Sequence, residues 1–364
     1  MIDATDEKWL LGALVEGGNG SRAVRPNPKV GCVVVAAGQL VGAGFHAVCG
    51  GPHAEVVALQ AAGAAARGAT AYVTLEPCAH YGRTGPCVDA LVAAGIARVV
   101  IGAADPHPQA QGGAAALRAA GIAVEFAGDP APAIRLAEVF FANQLHQRPW
   151  VQLKLAMTMD GRIAAADATS RWITGSAART QVAALRAQAD AVVVGSGTAL
   201  ADNPRLDLRH GSDSAAALPM RVVVDRRGRL ATDRGCALHV HDASRQPTVV
   251  VTSQNDVDWS RFCQGGAQVI RVVHGDDWLR RALAELLRRG VCHLLCEGGA
   301  TLAAALVQAQ CADQLDLLIA PKLLGAGVPV MASLGIGTLA DAHTWQWDDM
   351  RRCGDDVWLS ARPL

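Results

Sequence analysis

Net charge is the first thing this chain lacks. Thirty-three Lys and Arg stand against 33 Asp and Glu, so no basic surface is expected for a nucleic acid backbone to pair with. Phe and Tyr are scarce, at five and two residues. With Ala and Gly abundant, that reads as a packing bias and carries no function. No run of about 18 apolar residues occurs, so no membrane span is expected. Met1-Ile2-Asp3-Ala4 leads into acidic residues and not into a basic start with an apolar core, so no secretory signal is expected. Ten Cys in 364 residues is not the pattern of a small disulfide framework, and a cytoplasmic chain with reduced thiols is expected. No Gly-x-Gly-x-x-Gly follows a strand with an acidic residue about twenty positions on, which excludes the Rossmann dinucleotide fingerprint.

What the chain does have is length for two cores, since single cores rarely grow past roughly 250–300 residues. Apolar strands alternate with helical stretches throughout, which argues a layered α/β fold with helices on both faces of the sheets. Helices are expected at 6–16, 54–66, 88–94, 112–120, 133–146, 176–187 and 278–289, and from Glu297-Gly298-Gly299 to about Ala309. Pro-rich breaks at Asp129-Pro130-Ala131-Pro132 and Arg148-Pro149 put a domain boundary near residue 147, giving domains 1–147 and 148–364. Cys292-His293 and Cys296 lie in an apolar strand-like run and read as core, in keeping with the burial habits of Cys.

The chemistry is legible between His53 and Cys87. One imidazole (His53) and two thiols (Cys78, Cys87) make a three-ligand zinc site with the fourth position open, as catalytic zinc is held. Glu55 follows His53 by two residues, as in zinc deaminases, where the Glu is general acid/base and not a ligand. The second Cys there normally follows the first by two residues. Here eight intervene, so the loop must fold back to return Cys87. Asn27, between two prolines, is a candidate ligand contact. His53 opens one helix, and Glu76-Pro77-Cys78 is expected to open a second whose N-terminus faces it. Gly298-Gly299, between a strand and a helix, either lets a phosphate approach backbone N–H groups or makes an ordinary tight turn.

Taken together, Pro26-Asn27-Pro28-Lys29-Val30-Gly31, His53-Ala54-Glu55, Thr74-Leu75-Glu76-Pro77-Cys78 through Gly85-Pro86-Cys87, and Asp105-Pro106 resemble the deaminase half of the bifunctional riboflavin-biosynthesis deaminase/reductase family. The second half is similar to its reductase half, through Gln152–Ala156, Asp160-Gly161-Arg162, Ser170–Thr174, Leu185-Arg186-Ala187, Thr198-x-Leu200-Ala201-Asp202-x-Pro204-x-Leu206 and Glu297-Gly298-Gly299. The resemblance implies a cytidine-deaminase-like three-layer domain followed by a dihydrofolate-reductase-like domain. It implies one Zn2+ and NADPH as cofactors. The substrate is a phosphoribosylaminopyrimidine, deaminated first and then reduced at its ribosyl group.

By the same resemblance, Asn27, His80, Arg83 and Thr84 bind the pyrimidine and its phosphate. Ala156, Trp172, Thr198, Asp202 and the turn Gly299, Ala300, Thr301, Leu302, Ala303, Ala304, Ala305 hold NADPH. Ser170, Arg186, Leu206, Arg209 and Glu297 line the second substrate site, Arg186 and Arg209 pairing with phosphate. Lys154 and Asp160 are further candidates near the reacting centre, and Arg226 or Arg227 for the 2′-phosphate of the cofactor. A homo-oligomer, dimer or tetramer, is expected, with no nucleic acid or membrane partner. Val24, His107 and Met157-Thr158-Met159 depart from the family pattern. The rival is a zinc nucleoside or base deaminase with a non-catalytic second domain.

Overall fold

The computed structural model describes residues 2–82, 85–108, 110–208 and 218–364, and the chain divides into two compact units, residues 1–147 and 148–364. The described residues of the first unit form five strands, β1 (Gly31–Ala36), β2 (Gln39–Phe45), β3 (Thr70–Leu75), β4 (Arg98–Ala103) and β5 (Ala123–Phe126), in the order β2-β1-β3-β4-β5. β1 runs antiparallel to β2 and β3, while β3, β4 and β5 are parallel. The β1–β2 hairpin turns at Ala37-Gly38. Both residues have positive φ, 49° and 76°, the signature of a primed two-residue turn.

Period-two alternation splits the first sheet's side chains between two faces. Cys32 and Val34 pack with helices α2 (Ala54–Ala62), α3 (Cys87–Ala93) and α4 (Gly113–Ala119), whereas Val33 and Val35 pack under α1 (Ala4–Gly18). That makes three layers. α1 begins at Asp3, whose carboxylate accepts from the Thr5 and Asp6 amides, as N-cap residues do. Two expected helices are interrupted. The stretch 54–66 is α-helical only to Ala62 and then tightens into a 3-10 turn, and 133–146 divides at Ala137 into α5 (Ala131–Leu136) and α6 (Glu138–His146).

The second unit's large sheet has nine strands in the order β11-β10-β9-β8-β12-β6-β13-β16-β15, and a two-stranded sheet pairs β14 with β7. The strands are β6 (Trp150–Thr158), β7 (Arg162–Ala164), β8 (Ala191–Gly195), β9 (Met220–Val224), β10 (Thr248–Thr252), β11 (Gln268–Arg271), β12 (His293–Cys296), β13 (Gln314–Ala320), β14 (Val328–Pro329), β15 (Trp345–Cys353) and β16 (Asp356–Pro363). From β11 to β13 every pairing is parallel, and the edge hairpin β15–β16 is antiparallel. Strands buried on both faces read as continuous Val/Leu runs, as in Val192-Val193-Val194 and Leu294-Leu295. One face packs helices α11 (Trp278–Arg288) and α12 (Ala300–Gln308), and Cys296 and Cys311 lie in that core. The other face holds Leu206, Leu230, Trp259 and Phe262. Helix α7 (Ser176–Gln188) packs Ala178 and Val182 against Leu318 and Trp358. Helix α8 (Ser196–Asp202) follows β8 directly, and two short helices, α9 (Asp233–Cys236) and α10 (Ser260–Cys263), precede β10 and β11.

Candidate active sites

In the first unit three local features converge. His53 is the N-cap residue of α2 and Glu55 lies in its first turn; Cys87 is the first residue of α3. Cys78 lies in the irregular segment after β3 and does not open a helix, so the second helix N-terminus belongs to Cys87. Proline explains the shift: Pro77 restricts the residue before it, and Pro86 is set for the start of α3. Gly113 lets α4 approach that segment, since a Cβ there would stand 1.8 Å from the Pro77 carbonyl oxygen. Glu76, absent from the sequence-based assignment, anchors the same segment by accepting from the amides of Ala114 (2.9 Å) and Gly112 (3.2 Å).

His53 Nδ1 lies 3.1 Å from Cys87 Sγ and 3.6 Å from Cys78 Sγ, and all three donor atoms lie within 4.8 Å of one another. A tetrahedral zinc with Zn–N of about 2.0 Å and Zn–S of about 2.3 Å sets N···S near 3.5 Å. The donor set therefore fits zinc in both chemistry and spacing. The Cys87 thiol and the His53 ring, together with the Cys87 amide, lower the Cys78 thiol to about 4, and the same sharing pushes Cys87 up. Glu55 is 3 % exposed, and burial raises its carboxyl above the usual range despite the nearby His53.

Asn27, His46, His53, Glu55, Glu76, Cys78 and Asp105 line one cleft. His46 was not singled out in the sequence, because an isolated His after a strand carries no motif. Its ring sits edge-on to His53, centroids 5.2 Å apart. It contacts Asn27 Nδ2 through Nε2 (3.2 Å) and the Pro52 carbonyl through Nδ1 (2.9 Å). His80 is exposed on the loop and is not among the cleft-lining residues, and His107 donates its backbone amide to Asp105 (2.8 Å). Arg83 and Thr84 lie outside the described residues.

In the second unit the candidates gather at the carboxyl ends of adjacent strands β8, β12 and β6, where open α/β sheets bind ligands. Glu297 follows β12, and its carboxylate accepts from Arg186 Nε (2.5 Å) and Nη2 (3.0 Å), with Lys154 Nζ of β6 3.7 Å away. Burial opposes ionisation of Glu297, but Arg186 and Lys154 prevail and hold it at about 2. Burial lowers Lys154, with Arg186 adding to that against the pull of Glu297. Arg186 is thus neither a solvated helix residue nor a free cation. Its remaining Nη1 donates to the Asp207 carbonyl (2.7 Å).

Thr198 Oγ1 accepts from the Gly299 amide (3.0 Å), joining the first turns of α8 and α12. A Cβ on Gly299 would come within 3.1 Å of that oxygen, and one on Gly298 within 3.2 Å of the Gly195 nitrogen. This close backbone cradle at a helix N-terminus fits a cofactor phosphate. Ser170 donates to Asp202 Oδ1 (3.3 Å), and Trp172 is exposed beneath the Arg179 guanidinium. The stretch from Ala300 is helix, as expected to about Ala309, and not the turn that the resemblance implies. Leu302, Ala303 and Ala304 face the core, while Ala300, Thr301 and Ala305 are accessible. The Leu206 side chain is buried in the core, so only its backbone is available to a ligand.

Ala156 lies on β6 and is half-buried. Asp160 accepts from Thr158 Oγ1 and the Leu324 and Gly325 amides, which ties down a turn. Arg226 and Arg227 are exposed after β9. Arg229 reaches the first residue of α8, 2.8 Å from Ser196 Oγ, and no motif pointed to it. Arg209 lies outside the described residues.

Two family models match the chain. One describes a cytidine and deoxycytidylate deaminase zinc-binding region, over residues 4–103, and the other the RibD C-terminal domain, over 149–359. The riboflavin biosynthesis protein RibD of Escherichia coli is 40% identical, covering 97% of this chain and 98% of that one. RibD of Acinetobacter baumannii superposes with a TM-score of 0.85 at 37% identity, covering 99% of each chain. A diaminohydroxyphosphoribosylaminopyrimidine deaminase/5-amino-6-(5-phosphoribosylamino)uracil reductase from Thermotoga maritima gives 0.85 at 31% identity, again covering 99% of each. A reductase match over the second unit counts against a deaminase with an inactive partner domain. The chain belongs to the RibD family and is a bifunctional riboflavin-biosynthesis enzyme, a zinc-type deaminase joined to an NADPH-type reductase.

Proposed function

We propose that residues 1–147 hydrolyse the 2-amino group of 2,5-diamino-6-(5-phosphoribosylamino)pyrimidin-4(3H)-one and that residues 148–364 then reduce the ribosyl group, giving 5-amino-6-(5-phosphoribitylamino)uracil. The observation that carries the first step is the His53–Cys78–Cys87 cluster beside the buried Glu55 in one cleft. Zinc, when bound by those three residues, supplies water acidified enough to act near neutral pH. Glu55 takes the proton of the attacking water and returns it to the amine as the C–N bond breaks and ammonia leaves. Its raised pKa lets it serve as both base and acid. Asn27 holds the pyrimidine from the wall of the cleft, and His80, Arg83 and Thr84 serve the ribose phosphate.

For the second step NADPH, when bound, supplies the hydride. Thr198, Gly299, Ala300 and Thr301 hold its phosphates at the start of α12, with Ala156, Trp172, Asp202 and Ala305 around it. Leu302, Ala303 and Ala304 support that turn from the core. Hydride reaches the ribosyl C1 and a proton goes to the ring oxygen that leaves it. Ser170, Arg186, Arg209, Glu297 and the backbone of Leu206 line the substrate, and Lys154 is the cation beside Glu297. The enzyme works in the cytoplasm, in keeping with ten cysteines that form no disulfide. Among the described residues no helix is long and apolar enough to cross a membrane. We also propose a homo-oligomer, dimer or tetramer. The edge strand β15 supports it: seven of its nine residues are exposed, Trp347 and Met350 among them.

The test is sequential. Purified chain given the diaminopyrimidinone alone should release one ammonia per substrate, and NADPH added afterwards should be oxidised one for one. Ammonia without NADPH oxidation would leave only the deaminase half of the proposal.

A further inference from the structure

We propose that His46 is a positioning residue for the deaminase: its ring, held in the Nδ1-protonated tautomer, turns the Asn27 carboxamide so that Oδ1 faces the cleft as a fixed acceptor for a substrate N–H. The inference rests on the deaminase reading above and extends it to how the ring is chosen.

The Pro52 carbonyl oxygen lies 2.9 Å from His46 Nδ1, and a carbonyl can only accept, so Nδ1 carries the proton. The ring is 3 % exposed, and Asn27 Nδ2, which can only donate, lies at Nε2, so one ring nitrogen donates and the other accepts, as in a neutral imidazole. A neutral imidazole has one donor nitrogen, which leaves Nε2 with a bare lone pair. Asn27 lies 3.2 Å from that lone pair. Its NH2 group must face it, since Oδ1 in that place would set two lone pairs against each other. The amide is therefore not free to flip. Asn27 Oδ1 has no protein partner among the described residues, and Asn27 lines the cleft with Glu55 and Cys78. Pro26 and Pro28 restrict the backbone on either side of Asn27. A rigid acceptor beside the proton-transfer carboxylate selects a ring bearing an amine or ring N–H there, as an aminopyrimidinone does. It disfavours a ring presenting a lone pair there, because two acceptors would then face each other.

Two measurements test this. In zinc-loaded, 15N-histidine-labelled enzyme, His46, assigned by its loss in His46→Leu, should show a protonated Nδ1 and a bare Nε2. The opposite tautomer or an imidazolium overturns the proposal, and if His46→Leu fails to fold, His46→Gln supplies the same assignment. In ammonia-release kinetics, His46→Leu and Asn27→Leu should each raise KM for the diaminopyrimidinone by about tenfold or more with kcat nearly kept. The double variant should be no worse than Asn27→Leu alone, because the two act as one unit. Additive losses, or a fall in kcat with KM unchanged, overturn it. Absence of ammonia release by the unaltered chain would instead refute the deaminase reading itself.

Discussion

Replacing Glu297 by Gln removes one charge and almost no volume, and two independent routes give the size of the effect. The carboxylate is held by two Arg186 nitrogens at 2.5 and 3.0 Å and by Lys154 at 3.7 Å, with side-chain exposures of 9 %, 15 % and 14 % for Glu297, Arg186 and Lys154. Breaking a buried pair from one side costs about 3–5 kcal/mol, because the surviving charge stays buried. Separately, burial works against the charge, yet the two cations bring the carboxyl from 4.5 to about 2, which corresponds to about 3 kcal/mol of linkage. The folded pKa is depressed, so that contribution is complete above about pH 4.5 and is lost as pH falls through about 2. In Glu297→Gln it is missing at neutral pH. For a unit of this size about 3 kcal/mol lowers the melting midpoint by about 6–12 °C. Tryptophan fluorescence is the suitable signal, because seven of the eight Trp, all but Trp9, lie in residues 148–364. Ammonia release should survive below the new midpoint, since the first unit packs its own cores. A shift of less than about 2 °C would refute the claim that this carboxylate offsets two buried cations.

Three further outcomes follow from the same reasoning. Glu55→Gln should keep about one zinc per chain and lose ammonia release by about 10²–10⁴-fold, with reduction of supplied deaminated intermediate intact; equal loss of both steps would reject separate sites. Gly113→Ala would drive a methyl to within 1.8 Å of the Pro77 carbonyl, so the Cys78 segment must shift, at about 1–3 kcal/mol. Calorimetry and a competing-chelator titration should show lower stability and weaker zinc binding together, and an unchanged zinc affinity would show that the contact does not hold the ligand in place. Asp6 accepts two bonds from Arg98, both 2.7 Å, and one from Tyr72, which lower its carboxyl to about 2 against burial. Asp6→Asn should therefore cost about 1–2 kcal/mol above pH 4 and progressively less towards pH 2 in urea unfolding; a pH-independent difference would contradict the assignment.

How much of this was legible in the sequence depends on whether a residue's role is local. His53, Glu55, Cys78 and Cys87 could be named because metal chemistry demands those donor types at short spacing, and the two helix starts then deliver them. Apolar strands such as Ala191–Gly195 and Thr248–Thr252 could be named because a strand covered on both faces has to be apolar along its whole length. The edge hairpin β15–β16 was missed for the converse reason: β15 reads Trp-Gln-Trp-Asp-Asp-Met-Arg-Arg-Cys, mostly exposed, with no apolar alternation to announce it. Roles that depend on distant partners were also hidden. Leu206 looks like part of a binding motif and is core, while Arg186 looks like a lone cation and is bound on both sides, to Glu297 and to the Asp207 carbonyl 21 residues away.

His46 shows the limit most directly. No local motif marks it, because its two partners, Asn27 and Pro52, are 19 and 6 positions away on opposite sides. A ligand to zinc is constrained by the metal and so leaves a pattern in the chain. A residue that only orients another residue is constrained by geometry alone, and any stretch of chain that brings the ring to the same place would serve. The parts of this enzyme that choose its substrate should therefore be harder to read from sequence than the parts that perform the reaction.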